Sequence, residues 1–211
     1  MESIYKVYID KNKVLKFLGY SKRKPSEIIL RKIDEECDIA DKFIKPQVSL
    51  KQFEINHDNN QITIADKYVL KGKYAFDRLK DCKNIYIALY TIGTDIEERI
   101  KYYTNNNEMI RGMVLDKIGI VALDYINDKI KYNILNQIPG LKISSEIYPG
   151  ESDFDVSNQK IIFDLLKNEN SNIRINEHYQ LFPIKTVGVI FGVGLKDNNI
   201  GRCDNCKNKC Y

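Results

Sequence analysis

Histidine is scarce in this sequence. Only two of the 211 residues are histidines, His57 and His178, and they lie far apart in the chain. Hydrolytic zinc centres and Ser-His-Asp triads both depend on imidazole groups as ligands or bases. His57 also falls in a predicted turn, His57-Asp58-Asn59-Asn60, where a solvated side chain is the simplest interpretation. The shortage argues against both of these enzyme classes.

Long apolar runs and an excess of one charge are missing too. No stretch approaches the roughly 18 apolar residues of a membrane-spanning helix. The 33 basic and 29 acidic residues leave a net charge of only +4, without a basic stripe. We therefore expect neither a membrane nor a nucleic acid as a partner. The first residues lack the pattern of a signal peptide, and the odd number of cysteines, five, is typical of reduced thiols. We expect a cytoplasmic protein.

The residues that are present are typical of a globular domain. Hydrophobic residues make up 43% and charged residues 29% of the chain, which is long enough for one domain with its own core. The pattern predicts a single α+β domain with a mixed or antiparallel sheet, a long central helix and an N-terminal helical segment. The predicted divisions are the helical segment over 1–46, the α+β core over 47–200 and a cysteine-rich tail over 201–211.

Hydrophobic periodicity and turn residues predict the order of the elements. Asp10 caps a predicted helix that Gly19 ends, and Pro25-Ser26-Glu27 opens a second helix that Pro46 ends. Further helices are predicted over 72–80, 96–103, 108–136 and 160–167. Strands are predicted over 4–9, within 47–71, and over 85–94, 141–147, 173–181 and 187–193.

A ligand site is predicted at the turn Tyr148-Pro149-Gly150. Proline fixes φ, and glycine permits a left-handed backbone or the close approach of a ligand. Ser152, Asp153 and Asp155 follow, and they can cap the next helix. A turn that leads into a helix N-terminus beside a sheet suits a small anionic or polar ligand.

Several segments together resemble one known family. They are Pro149-Gly150, the helix Gln159-Lys160-Ile161-Ile162-Phe163-Asp164-Leu165-Leu166, and the strand pair Leu181-Phe182-Pro183-Ile184-Lys185-Thr186-Val187. In order and spacing they resemble the activation domain of cobalamin-dependent methionine synthase, in the stand-alone form found in some anaerobic bacteria. The N-terminal V-Y-I-D-K-N-K-V-L-K-F-L-G-Y looks like the start of those proteins. The resemblance covers nearly the whole chain.

The resemblance implies a site for S-adenosylmethionine at the turn. In the family, an Asp and an acidic residue eight positions later recur in the long helix, and Asp116 and Asp124 have that spacing. The implied cofactor-binding residues are Tyr148, Pro149, Gly150, Glu151, Asp116, Asp124, Lys185 and Thr186.

The chain departs from the family pattern, R-x-x-P-G-Y, at two positions. Glu146 stands where an arginine would pair with the cofactor's carboxylate, and Glu151 stands where the tyrosine would be. Because Glu146 would repel a carboxylate, another cation has to replace the arginine. Lys185, Arg174 and Lys142 are the candidates, and the sequence does not choose among them.

The tail contains three closely spaced thiols, Cys203, Cys206 and Cys210, as C-x-x-C-x-x-x-C. Thiolates at this spacing suit zinc or an iron–sulfur cluster. A closed site needs a fourth ligand, from Cys82, Cys37, water or a second chain. A redox-active thiol pair and a flexible tail with reduced thiols are the alternatives.

The function that the resemblance implies is reactivation of a corrinoid methyltransferase by reductive remethylation. The protein would bind S-adenosylmethionine, dock on a cobalamin-binding methionine synthase or related corrinoid protein, and act with an electron donor protein. No side chain need act as a nucleophile, since the corrinoid supplies it, so independent catalysis is not expected. One alternative is a non-enzymatic interaction or redox accessory protein that has lost the methyl-donor site and carries a metal or cluster on its tail. Another is a small-molecule binding protein of the same fold with a different ligand.

Overall fold

The structure, a computed structural model, describes residues 6–169 and 172–196. The helices among them are α1 (Lys11–Phe17), α2 (Glu27–Ile39), α3 (Lys73–Leu79), α4 (Asp95–Asn105), α5 (Met109–Gln137) and α6 (Asn158–Leu166). The strands are β1 (Gln47–Asp58), β2 (Gln61–Ile64), β3 (Tyr68–Val69), β4 (Asn84–Thr91), β5 (Lys142–Ile147), β6 (Arg174–Ile175), β7 (Leu181–Phe182) and β8 (Thr186–Gly194). Short 3₁₀ turns follow α2 and α6, at Ala40–Lys42 and Lys167–Glu169.

Six of these strands form one antiparallel sheet, in the order β3-β2-β1-β4-β8-β5. Strands β6 and β7 pair separately as a short ribbon. Helices pack on both faces of the sheet, α5 on one and α3 with α6 on the other. This arrangement confirms the predicted α+β fold, and the sheet is antiparallel throughout. No described helix is long and apolar enough to cross a lipid bilayer.

Strand β4 lies at the centre and is buried along almost its whole length. Its side chains alternate between the two faces, as a strand requires. Tyr86 and Tyr90 join the core that α5 covers, whereas Ile85 and Leu89 join the core beneath α3 and α6. A continuous apolar run is the pattern of a strand covered on both faces, and the prediction of such a strand here is confirmed.

Helix α5 is the long helix that the sequence predicted. Its 29 residues follow the predicted 108–136 within one residue at each end. Residues spaced three and four apart, including Val114, Ile118, Ile126 and Ile130, are buried against the sheet and the N-terminal helices. Helices α1, α2 and α4 all pack on α5.

A buried carboxylate fixes α2 to α4 and α5. Glu36 is fully buried and accepts hydrogen bonds from the Tyr103 hydroxyl at 2.9 and 3.0 Å. Arg111 Nε lies 2.5 Å from Glu36 Oε1 and supplies the opposite charge. Arg99 donates to the same hydroxyl at 3.1 Å and lies over the Tyr103 ring. A buried charge requires partners of this kind. Val14 of α1 and Ile33 of α2 belong to the same buried cluster as Tyr86 of β4, so the predicted N-terminal helical segment shares its core with the sheet.

Some predicted elements differ from the structure. The described part of 4–9 contains no strand. The second predicted helix ends at Ile39, and a 3₁₀ turn over Ala40–Lys42 follows it, so the helix stops well before Pro46. Over the predicted strand 173–181, only two residues at the start and one at the end pair as strands, so most of that stretch is a loop.

The capping prediction after the turn was wrong in part. Helix α6 begins at Asn158, and Ser157 occupies its N-cap without a side-chain hydrogen bond. Asp155 accepts the Ser157 N–H at 2.8 Å, just before the helix. Asp153 caps α3 instead, by accepting the N–H groups of the first two residues of that helix.

Candidate functional site

The predicted ligand turn follows β5, which is an edge strand of the sheet. Gly150 has a φ of 95°, a conformation that glycine adopts readily and other residues rarely do. The turn closes on itself, because Gly150 N–H donates to the Phe154 carbonyl at 2.7 Å and Glu151 N–H donates to the Tyr148 carbonyl at 3.1 Å. The Glu151 carboxylate also accepts the Tyr148 N–H at 3.1 Å. The predicted turn is confirmed as a tight backbone loop.

A hydrogen-bonded cluster joins this turn to α5. Asn127 Nδ2 donates to Glu146 Oε1 at 2.7 Å and to the Tyr148 hydroxyl at 3.3 Å. The Tyr148 hydroxyl donates in turn to Glu146 Oε1. The Glu146 side chain is only 11% exposed. We call Glu146, Asn127 and Tyr148 the Glu146 cluster.

Lys131 is the cation that lies next to the Glu146 cluster. Its Nζ is 3.7 Å from Glu146 Oε2 and 3.0 Å from Asp128 Oδ1. Burial lowers the pKa of Lys131, but the charges of Glu146, Asp128 and Asp124 and the hydrogen bond from Asp128 outweigh it, so the net shift of the pKa is upward. Lys131 therefore stays charged among several carboxylates.

Sequence reasoning missed Lys131, although a signal was present. It lies seven residues after the predicted Asp124, and positions seven apart share one face of a helix. The proposed replacements for the lost arginine do not approach Glu146 in this way. Lys142 opens β5, four residues before Glu146 and thus about 13 Å away along the strand. Arg174 lies in the separate ribbon of β6 and β7.

The third proposed replacement, Lys185, is part of a second cluster. Its Nζ lies 2.7 Å from Asp116 Oδ1, and its side chain is 11% exposed. The stem of Lys185 crosses Gly119 so closely that a Cβ there would come within 2.6 Å of Cδ. The Lys185 backbone N–H donates to Glu97 Oε1 at 2.9 Å. The charge of Lys185 is thus engaged by Asp116.

The pKa of Asp116 reflects this pairing. Burial raises the pKa of the carboxyl, but hydrogen bonds from Lys185 and Lys117 lower it more, so the net shift is downward. Thr186 adjoins Lys185 at the start of β8, and its hydroxyl donates to the Pro183 carbonyl at 2.6 Å. We call Asp116, Lys185 and Thr186 the Asp116 cluster.

The predicted site residues therefore fall into two groups. Tyr148, Pro149, Gly150 and Glu151 lie at the turn, and the Asp116 cluster lies toward the N-terminal half of α5. Asn127 is eleven residues beyond Asp116, about 16 Å along the helix. Asp124 lies between them on α5 and acts electrostatically on Lys131. Helix α5 carries Asp116 of the second group and contacts Tyr148 of the first group through Asn127.

Two buried polar groups lie at the start of α6, on the opposite face of the sheet. Ser157 Oγ and Gln159 Nε2 are buried and have no hydrogen-bond partner among the described residues. Gln159 lies directly over Gly188 of β8, where a Cβ would come within 2.2 Å of Nε2. Asn158 ties the same helix start to the backbone of Lys71, through hydrogen bonds of 2.8 and 2.9 Å.

None of the predicted site residues lines the open cleft beside α3. This cleft has a volume of about 590 Å³ and lies between the β1–β2 turn and α3. Its lining is mixed, with Val69 and Phe76 beside Asn60, Lys71 and Asp77.

The described cysteines do not form a metal site. Cys82 is buried and Cys37 is partly buried, and they lie in the cores on opposite faces of the sheet. Within 6–169 and 172–196, no group of three or more His, Cys, Asp or Glu side chains is arranged to hold a metal ion. Cys203, Cys206 and Cys210 lie outside the described residues, so the predicted zinc or iron–sulfur site in the tail stays a prediction.

The fold is similar to that of a solved structure, the crystal structure of the MetH reactivation domain bound to AdoHcy. The TM-score is 0.62, with 9% sequence identity over 90% of this chain and 79% of that chain. No protein-family model and no curated protein sequence matches the chain. At this identity the likeness shows the fold, which is the fold that the sequence resemblance implied.

Proposed function

We propose that this protein binds S-adenosylmethionine and supports the reductive remethylation of a cobalamin-dependent methionine synthase or a related corrinoid methyltransferase. The observation that carries the proposal is the shared fold, since the similar solved domain is a reactivation domain with AdoHcy bound. The turn Tyr148-Pro149-Gly150 supports it, because it lies at the end of the edge strand β5 and beside α5.

The proposed donor site lies between the turn and α5. The backbone of Tyr148, Pro149, Gly150 and Glu151 forms one side, and Asp124 lies on the helix opposite. The Lys185–Asp116 pair holds the start of β8 against the N-terminal half of α5, and Thr186 braces the preceding loop through the Pro183 carbonyl. The contribution of these residues is positioning, which lowers the entropic cost of bringing donor and acceptor together.

The bond-making chemistry would belong to the bound donor and to the partner's corrinoid. The corrinoid would take up one electron and accept the methyl group, and S-adenosylhomocysteine would be released. The residues of this chain bind and orient the donor, and none is proposed as a nucleophile or a general base. The partners are a cobalamin-binding methionine synthase or corrinoid protein and a protein that donates electrons. The proposed location is the cytoplasm.

One observation favours a second candidate function. Glu146 is held in place where the resemblance expects an arginine, and Lys185 is already paired with Asp116. A chain with this arrangement and without donor binding would be a non-enzymatic interaction or redox accessory protein of the same fold, with a metal or cluster on its cysteine tail.

A reconstituted methylation assay tests the proposal. The cob(II)alamin-loaded cobalamin-binding fragment of a methionine synthase is mixed with a chemical one-electron reductant, S-adenosylmethionine labelled in its methyl group, and the full chain. We expect label on the corrin only when both the donor and this protein are present. If the protein adds nothing, while a reactivation domain with known activity methylates the same fragment, the proposed function is wrong. Zinc and iron analysis of the anaerobically purified chain then tests the second candidate.

A further inference from the structure

The Glu146 cluster contains a buried acceptor that the protein itself leaves unsatisfied. Asn127 is only 8% exposed, and its Oδ1 has no hydrogen-bond partner among the described residues. The orientation of the amide follows from its surroundings, since Nδ2 has to face the Glu146 carboxylate, which only accepts. Asn127 Oδ1 is therefore an acceptor next to a carboxylate, and it needs a donor that arrives from outside the described chain.

Glu146 has spare acceptor capacity at the same place. Asn127 Nδ2 and the Tyr148 hydroxyl both donate to Oε1. Lys131 approaches the other oxygen, Oε2, only to 3.7 Å, which is beyond a normal hydrogen bond. Lys131 is closer to Asp128, at 3.0 Å. A donor at Oε2 would thus complete the cluster without breaking a hydrogen bond.

The charge around the cluster favours a cation. Carboxylates of Glu146, Asp124 and Asp128 all act on Lys131. Glu151 adds a fourth carboxylate where it accepts the Tyr148 N–H. Among the described residues, Lys131 is the cation within ion-pair distance of Glu146. A ligand carboxylate placed here would face like charges, whereas an ammonium would face opposite ones.

We propose that the Glu146 cluster binds the ammonium group of the ligand at the turn, with Glu146 Oε2 and Asn127 Oδ1 as its acceptors. An ammonium carries three N–H donors and no acceptor, so it satisfies both oxygens at once. The inference rests on the proposed function for the adenosyl part of the ligand. It makes Glu146 a specificity-determining residue: the site recognises the amino group of the methyl donor and makes no demand on the carboxylate.

The test is calorimetric titration of the full chain with three adenosyl sulfonium compounds. They are S-adenosylmethionine, its decarboxylated form, which keeps the ammonium, and its deaminated form, which keeps the carboxylate. We expect the decarboxylated compound to bind at least as tightly as S-adenosylmethionine. We expect the deaminated compound to bind at least tenfold more weakly, because charge-assisted hydrogen bonds are lost.

The variant Glu146→Gln keeps the shape of the side chain and removes its charge. In this variant the loss of affinity on deamination of the ligand should fall to about threefold or less. Glu177→Gln is the matched control, since Glu177 is 86% exposed and pairs only loosely with His178; it should leave this loss unchanged. Thermal unfolding of both variants checks that they fold, and if Glu146→Gln does not, the wild-type series alone decides.

The outcomes separate this inference from the proposed function. Binding of the decarboxylated compound without binding of S-adenosylmethionine would support the inference and overturn the proposed function. Tight binding of S-adenosylmethionine that is lost on decarboxylation but kept on deamination would support the proposed function and overturn the inference. No binding of any of the three compounds at millimolar concentration would overturn both.

Discussion

Asp153 Oδ1 accepts the backbone N–H of Tyr74 at 2.8 Å, so a residue just after the Pro149-Gly150 turn caps a helix that begins some eighty residues earlier. Its other oxygen accepts the Lys73 N–H at 3.1 Å. Gly72 makes the close approach possible, because a Cβ there would come within 2.2 Å of the Asp153 carbonyl oxygen. The segment between the turn and α6 is thus fixed by α3 as well as by its own hydrogen bonds.

Removing this cap should affect both stability and the turn. We expect Asp153→Ala to lower the free energy of unfolding by about 1 kcal/mol, the usual cost of losing an N-cap side chain. Because the cap also holds the segment after the turn, donor binding should weaken severalfold. Chemical denaturation and calorimetric titration measure the two effects.

Asp10→Ala is the matched control for that change. Asp10 caps α1 by accepting the N–H groups of Asn12 and Lys13, at 2.8 and 3.4 Å, so these hydrogen bonds stay within its own helix. We expect a similar loss of stability with unchanged donor binding. Equal weakening of binding in both variants would mean that the Asp153 cap has no specific effect on the turn.

The buried Glu36 carboxylate provides a second prediction. Glu36→Gln should lower the free energy of unfolding by about 3 kcal/mol, because Arg111 and Tyr103 lose the charged acceptor that compensates their burial. Glu35→Gln, at the neighbouring and partly exposed position, should lower the free energy of unfolding much less, because solvent screens its ion pair with Lys32. Denaturant midpoints at constant m-value provide the comparison, and equal costs at the two positions would contradict it.

The Asp116–Lys185 pair predicts a pH dependence. The pKa of Asp116 is lowered in the folded protein, so the folded state favours the charged carboxylate. The resulting stabilisation is complete above the ordinary carboxyl pKa, near 4, and is lost as the pH falls through the lowered pKa. The difference in stability between wild type and Lys185→Met should therefore shrink below about pH 4.

The same comparison in an Asp116→Asn background is the control. Without the carboxylate, Lys185→Met should show no acid-dependent difference in stability. Urea denaturation between pH 2 and pH 7, over the range roughly spanned by carboxyl titration, measures both series. A pH-dependent difference that persists in the Asp116→Asn background would assign the effect to another group.

The two described cysteines should react slowly with alkylating reagents. Burial raises the pKa of Cys37 to about 11 and also raises that of Cys82, so little thiolate is present at neutral pH. We expect peptide mapping after brief native alkylation to find both thiols unmodified, and after denaturation to find both modified. Fast native labelling of Cys82 would contradict its burial. If a chelator added before alkylation increases the labelling of the tail cysteines, a metal protects them in the native protein.

The elements that the sequence predicted well are those whose signals are local. Helix α5 and strand β4 have strong periodic or continuous apolar patterns, and both were found with nearly the predicted bounds. The turn at Pro149-Gly150 was equally clear, since its residue types restrict the backbone directly.

The contacts that the sequence did not predict join residues far apart in the chain. Asp153 was assigned to the helix that follows it, because a capping residue is usually read with the nearest helix, whereas it caps α3. Lys131 and Asn127 approach Glu146 only because α5 packs beside the end of β5. Periodicity places a residue on a face of its helix, but it does not specify which residue of another element lies opposite.

The central claim is tested most directly by titrating the anaerobically purified chain with S-adenosylmethionine in a calorimeter, beside Gly150→Ala and Gly140→Ala. The two glycines are matched, with φ of 95° and 80° and open space where a Cβ would stand, so alanine strains the backbone similarly at both. We predict micromolar binding by the wild type and by Gly140→Ala, and at least tenfold weaker binding by Gly150→Ala. Absence of binding at millimolar S-adenosylmethionine, or equal binding by the two variants, would contradict a donor site at this turn.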